Sequence, residues 1–534
     1  MGAELSYGGE KAFESKEEFV FAKGTHNVTV PVIAHEVKQW WPNGSGAAEL
    51  YDLRVTLSEG ESKCFDISQK VGFKDIELKH NPESPGGSLP YTFCVNGKTL
   101  FIKGFNVTPF DQLLGCDTEE RIRHNLLAVK EAGANLIRVW GGGIIESPAF
   151  YEICSEYGLM VWQDMIQSSS GLSNRPSERA DFLLLLEQTC IYALKTRRNY
   201  ACTTVICGGN ELYGENDRLV TFDNANIAMI KFLKEKYCPE LAFFPSTATG
   251  PVQDADMEDS ANNHNIHGPW SFLGKEKHYS HYNRLKCLFN GEFGCNGMSS
   301  VGQLERILPK EDLAVNNMRD NIMWRYYGEW WDMYEPITDI FGEITDLNEY
   351  ITLSQFLQYS ALRYAVASLR RGFPYTSGCI IWQLNELWPN VCCSTILQYD
   401  GNKKPVYYAV KGAYDPVSIS ARYDRLVYSD GEDAEIELFV VSDGEKHCGE
   451  LFYTVTSGSR ALLSGNAKYS AGEGFSAKAC SLKVNTGNCE SVEIHAYTVV
   501  GGRRYSLNEL LLVAGADGKC GKEDAIKFIG GLEA

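Results

Sequence analysis

Nowhere in its 534 residues does the chain carry an apolar run near the ~20 that a membrane helix needs. Nor does it open on the charged-then-apolar leader of a secreted protein, so a cytoplasmic location is the expectation. Basic stretches are missing as well. Lys and Arg number 50 against 69 Asp and Glu, a balance of −19 that argues against nucleic acid and, without a local basic pocket, against an acidic substrate. The 17 cysteines are scattered and show none of the paired C-x-x-C spacing of a zinc site. Cys202, Cys207, Cys287 and Cys379 instead sit inside apolar runs, where a free thiol acts as a small hydrophobe; this favours a reducing compartment. Internal repeats and low-complexity tracts are absent too.

What is there is an ordinary globular composition, 44% hydrophobic and 22% charged. The length suits about two to four domains with ample core. Aromatic residues make up 12%, among them 10 Trp and 28 Tyr. Their flat faces suit stacking on sugars, and equally a large core with β-sandwiches.

Residues 1–88 read as β structure. Short strands are expected at Phe19–Phe21 and Val28–Val32, and Leu50–Leu57 alternates strictly, as a strand with one buried face does. Trp40-Trp41-Pro42-Asn43-Gly44 reads as an aromatic seam between domains or as a sugar platform. A linker rich in Pro and Gly follows at Asn81–Pro90. Over residues 89–413 strands and helices alternate, which implies a parallel sheet. The strands are predicted at Leu100–Val107, Leu136–Trp140, Met160–Asp164, Thr203–Cys207, Leu241–Phe244, Asn265–Gly268, Cys287–Asn290 and Gly378–Leu384. Eight such units make a (β/α)8 TIM barrel with insertions, of which Asn296–Tyr350, rich in Trp and Tyr, is expected to roof the cleft. Residues 414–534 return to strands between Gly/Ser turns. The predicted fold class is therefore multidomain: a TIM barrel flanked by N-terminal and C-terminal immunoglobulin-like β-sandwiches.

Two strand ends carry the chemistry. Thr203–Cys207 is apolar, then breaks into Gly208-Gly209-Asn210-Glu211; Leu285–Gly294 ends likewise in Gly291-Glu292-Phe293-Gly294. A carboxylate at the C-terminal end of a buried parallel strand is poorly placed for stability and well placed for catalysis, because α/β barrels build their sites at that rim. The same Asn-Glu pair would also serve as a helix cap. Two such glutamates are the raw material of a retaining glycosidase, one protonated to assist the leaving oxygen and one ionised to attack the sugar. That mechanism needs a separation of about 5–5.5 Å, and inversion a wider one.

Further motifs follow in order: Trp41-Pro42-Asn43-Gly44, Val71–Leu78 (VGFKDIEL), Phe101–Gly104 (FIKG), Ile137–Gly143 (IRVWGGG), Val161–Asp164 (VWQD), Trp382–Asn385 (WQLN) and Pro405–Tyr408 (PVYY). With Gly209–Glu211 and Gly291–Gly294 among them, residues 38–412 resemble glycoside hydrolase family 2, most closely its β-mannosidase branch. The resemblance implies a retaining exo-β-glycosidase for terminal non-reducing β-D-mannose, with Glu211 as acid/base and Glu292 as nucleophile. It implies that Asn210 donates to the sugar 2-hydroxyl and that Arg138 orients Glu292. Arg138 lies inside a strand, where a charge is expensive unless paired. Asp164 fits a sugar-hydroxyl acceptor, and Trp140 and Trp382 wall the pocket or plug the barrel top. His264, His267 and Trp270, in NHNIHGPW, belong near the sugar or the nucleophile. The His-x-x-His spacing raises a metal, but no third ligand is evident, so neither metal nor cofactor is expected. For proton donation Glu211 needs a raised pKa, while Arg138 is expected to keep Glu292 ionised.

The expected partner is an oligosaccharide or glycoside, with neither nucleic acid nor membrane. The family's jelly-roll domain has no counterpart ahead of the first sandwich, so that domain or a separate chain is expected to complete the cleft. Galactose, glucuronic acid or glucosamine remain open as the sugar, and a non-catalytic carbohydrate-binding remnant as the alternative class.

Overall fold

The computed structural model describes every residue except 61, 117, 444–446, 472–474 and 533–534. At its centre eight parallel strands curl into one sheet: β1 (Ile102–Val107), β2 (Leu136–Val139), β3 (Met160–Asp164), β4 (Thr203–Cys207), β5 (Ala242–Phe244), β6 (Asn265–His267), β7 (Phe289–Phe293) and β8 (Gly378–Ile381). Neighbours in chain order pair with one another and β8 pairs with β1; the one step without a ladder lies between β5 and β6. There Thr249 and Asn265 exchange backbone hydrogen bonds of 3.1 and 3.0 Å, so the loop after β5 completes the ring. This is the TIM barrel. Apart from the start of β5, every residue of these strands is buried, which is why they read as apolar runs rather than alternating ones.

Local signals set the helices that carry the strands. Thr118 caps Glu119–Glu131 by accepting from the Arg121 N–H at 3.2 Å. Pro148–Tyr157 has proline in its first turn and stops on Gly158, whose φ of 73° an ordinary side chain rarely adopts. The long helix Leu347–Arg371 begins where the Asp346 carboxylate accepts from the Glu349 N–H.

Ahead of the barrel lies a four-stranded antiparallel sheet, in the order Glu10–Lys16, Gly2–Tyr7, Tyr51–Glu59, Ser62–Val71. Phe19–Phe21 and Val28–Val32 are not strands. Residues 17–37 have no ladder partner, and Val20 and Ile33 stand exposed, so their apolar side chains meet no second sheet. Trp40 forms the seam: it is fully buried, and its indole N–H donates to the Ser155 carbonyl of a barrel helix at 2.8 Å. Beyond the barrel, a three-stranded sheet (Val417–Arg422, Asp433–Ser442, Ser476–Asn485) lies with a five-stranded one that includes His447–Ser457 and Arg503–Ala514. It is tied to the long barrel helix by a buried ion pair, Arg363 Nε to Glu509 Oε1 at 3.0 Å. Among the described residues, no helix is long and apolar enough to cross a membrane.

Candidate active site

Glu292 sits within β7, not beyond it, because β7 stays paired with β8 as far as Phe293 and Ile381. Glu211 stands in the turn after β4 with a φ of 51°, a left-handed conformation that costs a non-glycine residue about 1 kcal/mol or more. Between them, from the end of β6, comes His267. Its Nδ1 lies 3.0 Å from Glu211 Oε1 and 3.6 Å from Glu292 Oε2, and these three ligand atoms all fall within 4.8 Å of one another. Gly291 makes this approach possible. A Cβ there would come 2.6 Å from Asn265 Oδ1 and 3.2 Å from His267 Nε2.

Behind the carboxylates one buried cation organises the floor. Arg138 on β2 is fully buried, and its guanidinium donates to Glu292 Oε1 at 2.6 Å, Asn106 Oδ1 at 2.7 Å, Asn210 Oδ1 at 2.6 Å and Asp164 Oδ2 at 2.7 Å. Asp164 departs from expectation. It is completely buried, and its oxygens are taken by Arg138 and by the Gly141 N–H at 3.1 Å, so it serves as the counter-ion of the arginine rather than as a sugar acceptor. Asn210 gives one amide hydrogen to Ser168 Oγ at 3.1 Å and keeps the other. Trp270 donates its indole N–H to Glu292 Oε2 at 3.1 Å, and Ser169 its hydroxyl to Glu211 Oε2 at 2.8 Å. Trp140 and Trp382 meet edge to face at 5.3 Å, both partly exposed.

His264 is not brought to the carboxylates. It precedes β6, at the end away from His267, with its ring against Gly250. Asn106 and Ser169 were not singled out from the sequence. Asn106 carries the signal that marked Arg138, a polar side chain inside an otherwise buried strand; Ser169 carries none.

The electrostatics run opposite to expectation. Burial pushes the Glu292 carboxyl above its ordinary value, against the pull of His267 and Arg138 and with help from the Glu211 charge. Burial also acts upward on Glu211, but the hydrogen bond and charge of His267, the Ser169 hydroxyl and Arg138 together hold it below. The cause is geometric: His267 stands closer to Glu211, and Arg138 divides its charge between Glu292 and Asp164.

The structure does not complete the His264–His267 pair as a metal site, but Glu211, His267 and Glu292 meet the spacing of a cation site. The donor chemistry is less suited to one. Glu292 already takes a guanidinium and an indole N–H, and a metal ion would face the Arg138 charge at close range.

No family model matches the chain. A β-mannosidase B of Aspergillus terreus is 28% identical over 451 residues, which cover 78% of this chain and 52% of that protein. This relative is a β-mannosidase. Another, the β-mannosidase B of Emericella nidulans, is 27% identical over 455 residues, 79% of this chain and 51% of its own. The chain thus spans about half the length of the curated relatives it matches. Among solved structures, the β-D-mannosidase of Dictyoglomus thermophilum superposes with a TM-score of 0.80 at 23% identity, covering 96% of this chain and 62% of that one. The exo-chitosanase of Amycolatopsis orientalis gives 0.72 at 19% identity, over 96% of this chain and 60% of that one. Both likenesses are of fold. In sequence, the chain is similar to these β-mannosidase B proteins.

Proposed function

We propose that the chain is a retaining exo-β-glycosidase that releases terminal non-reducing β-D-mannose. The observation that carries the reading is the pair Glu211 and Glu292, with oxygens within 4.8 Å across His267. That spacing suits the direct attack of retention better than the wider gap that inversion needs to admit water. Glu292, held by Arg138 and Trp270, is the nucleophile: it attacks the anomeric carbon as the glycosidic bond breaks. Glu211, the more exposed of the two, gives its proton to the departing oxygen. It then takes a proton from the water that hydrolyses the glycosyl-enzyme. A substrate oxygen that displaces the Ser169 hydroxyl from Glu211 removes one of the groups that hold its pKa down, which shifts the balance toward burial. Asn210, its carbonyl fixed by Arg138, offers its free amide hydrogen to the 2-hydroxyl. Among the described residues the cation at the carboxylates is Arg138, fully buried and engaged by four acceptors, which favours a neutral sugar over glucuronate.

Intact-mass analysis after incubation with a 2-deoxy-2-fluoro-mannosyl inactivator tests this. One covalent adduct is expected, absent in Glu292→Gln. Labelling that persists in that variant would sink the assignment, and binding of the sugar without any adduct would favour the carbohydrate-binding remnant.

A further inference from the structure

The catalytic reading gives Ser169 and Asn210 their tasks but leaves Gln167, which joins their two segments, without one. Gln167 stands half-buried in the loop after β3, where the loops that follow β2 and β4 close on it. Its carbonyl accepts from the Asn210 N–H at 3.0 Å, and the Asn210 carbonyl accepts in turn from the Ser169 N–H at 3.0 Å. The two loops thus pair as a short parallel bridge, Ser168 beside Asn210, immediately before the proton donor. Two glycines make room for the Gln167 carbonyl. A Cβ at Gly141 would come 2.5 Å from that oxygen, and one at Gly209 2.6 Å.

The Gln167 side chain holds the same turn from its other end. Where the chain leaves β4, the Gly208 carbonyl needs a donor that no strand supplies. Gln167 Nε2 donates to it at 2.8 Å. The same nitrogen donates to Asn226 Oδ1 at 2.8 Å, and Asn226 Nδ2 donates back to Gln167 Oε1 at 3.2 Å. Asn226 is completely buried in the first turn of the helix Ala225–Tyr237, and it also donates to the Ser177 carbonyl at 2.9 Å. All four polar atoms of the two amides are therefore engaged, and neither amide can turn over without leaving one of them bare.

Asn210 has a further hold, because Arg138 fixes its Oδ1. Glu211 leans more heavily on the turn. Its φ of 51° is strained, and one of its carboxylate partners, Ser169, belongs to the segment that Gln167 begins. Resting on the glycosidase reading, we propose that Gln167 is a positioning residue for the proton donor: its carbonyl and amide hold the Gly208–Glu211 turn, and Asn226 keeps that amide in one orientation. Gln167 acts through Glu211 and not on the sugar.

Gln167→Met, which keeps the length and loses the amide, tests it on methyl β-mannoside and dinitrophenyl β-mannoside. Methanol needs a proton to depart, and dinitrophenolate does not. The expected result is a roughly tenfold or greater fall in kcat/KM on the methyl glycoside, against a change of about twofold or less on the other. On the dinitrophenyl glycoside kcat and KM should fall together. Forming the glycosyl-enzyme there needs no acid, whereas hydrolysing it needs Glu211 as base. Asn226→Ser should show the same selective fall, and an unselective one overturns the part given to Asn226. An equal fall on both substrates in Gln167→Met overturns the proposal, and so does no fall on the methyl glycoside. Should the unaltered chain cleave neither substrate, the glycosidase reading fails by itself. Hydrogen exchange at the Ser169 and Asn210 amides still reads the clasp: exchange faster by about tenfold or more in Gln167→Met upholds Gln167 as the holder of the turn, and unchanged exchange overturns it.

Discussion

Arg138 holds Glu292 with one guanidinium nitrogen at 2.6 Å and Asp164 with the other at 2.7 Å, all three side chains being almost or wholly buried. A charge in this position is tolerable only because it is paired, and Asp164 alone matches it in charge. Arg138→Met is therefore expected to remove about 3–5 kcal/mol of stability, since two carboxylates lose their cation. It should also lower kcat by roughly 10²-fold or more, since the nucleophile loses its orientation. Thermal unfolding and steady-state kinetics check both. An Arg138→Met protein of unchanged activity would contradict the positioning role.

The proton donor is tested through the leaving group. Glu211→Ala should lose about 10²–10⁴ in rate on glycosides of poorly acidic alcohols, and much less on dinitrophenyl glycosides, which leave without a proton. A uniform loss across leaving groups would mean that Glu211 does something else.

His267 makes a prediction about pH. Its hydrogen bond and charge are the leading causes that hold Glu211 down, against burial. Removing them in His267→Phe lets burial act unopposed by the imidazole, so the pKa of Glu211 rises. The basic limb of kcat/KM, which reports deprotonation of the acid, should then move to higher pH. Ser169→Ala should shift it the same way by less. A limb that stays in place, or moves down, contradicts the bridging role.

Glu292 ties the site to stability. Its folded-state carboxyl lies above the ordinary value of 4.5, chiefly through burial, so the folded protein binds this proton more tightly than the unfolded chain does. The contribution is fully present below pH 4.5 and is lost as pH rises through the folded value. Glu292→Gln, which cannot ionise, should therefore melt at a higher temperature than the parent at neutral pH, and the gap should close as pH falls to about 4. A gap that widens on acidification reverses the sign and refutes the burial argument.

The barrel was legible because its strands are buried on all sides: Met160–Asp164 and Thr203–Cys207 are continuous apolar runs, and Pro148 with Gly158 brackets a helix that no other pattern suits. The N-terminal segment was not legible. Phe19–Phe21 has β-forming residues, but whether they pair depends on a partner strand far along the chain, and the structure provides none. In the site, the pairing of Arg138 could be read from the price of a charge within a strand. That Asp164 is its partner, and not a ligand for sugar, depends on the parallel register of β2 and β3, which sets Trp162 beside Arg138. The placement of His267 nearer one carboxylate than the other, at 3.0 against 3.6 Å, is finer than anything periodicity can carry.

The barrel's unpaired step has one consequence for its chemistry. Where β5 and β6 share no ladder, the peptide segment 245–253 does the stitching: Thr247 O accepts from the Glu211 N–H, Thr249 bonds Asn265 both ways, and Gln253 O accepts from the His267 N–H at 2.8 Å. The proton donor and the outer edge of the histidine's strand thus hang from a single clasp, whereas the nucleophile lies in a strand paired on both sides. Evolution can retune the gap between acid and sugar by editing that clasp alone, leaving every reacting side chain untouched.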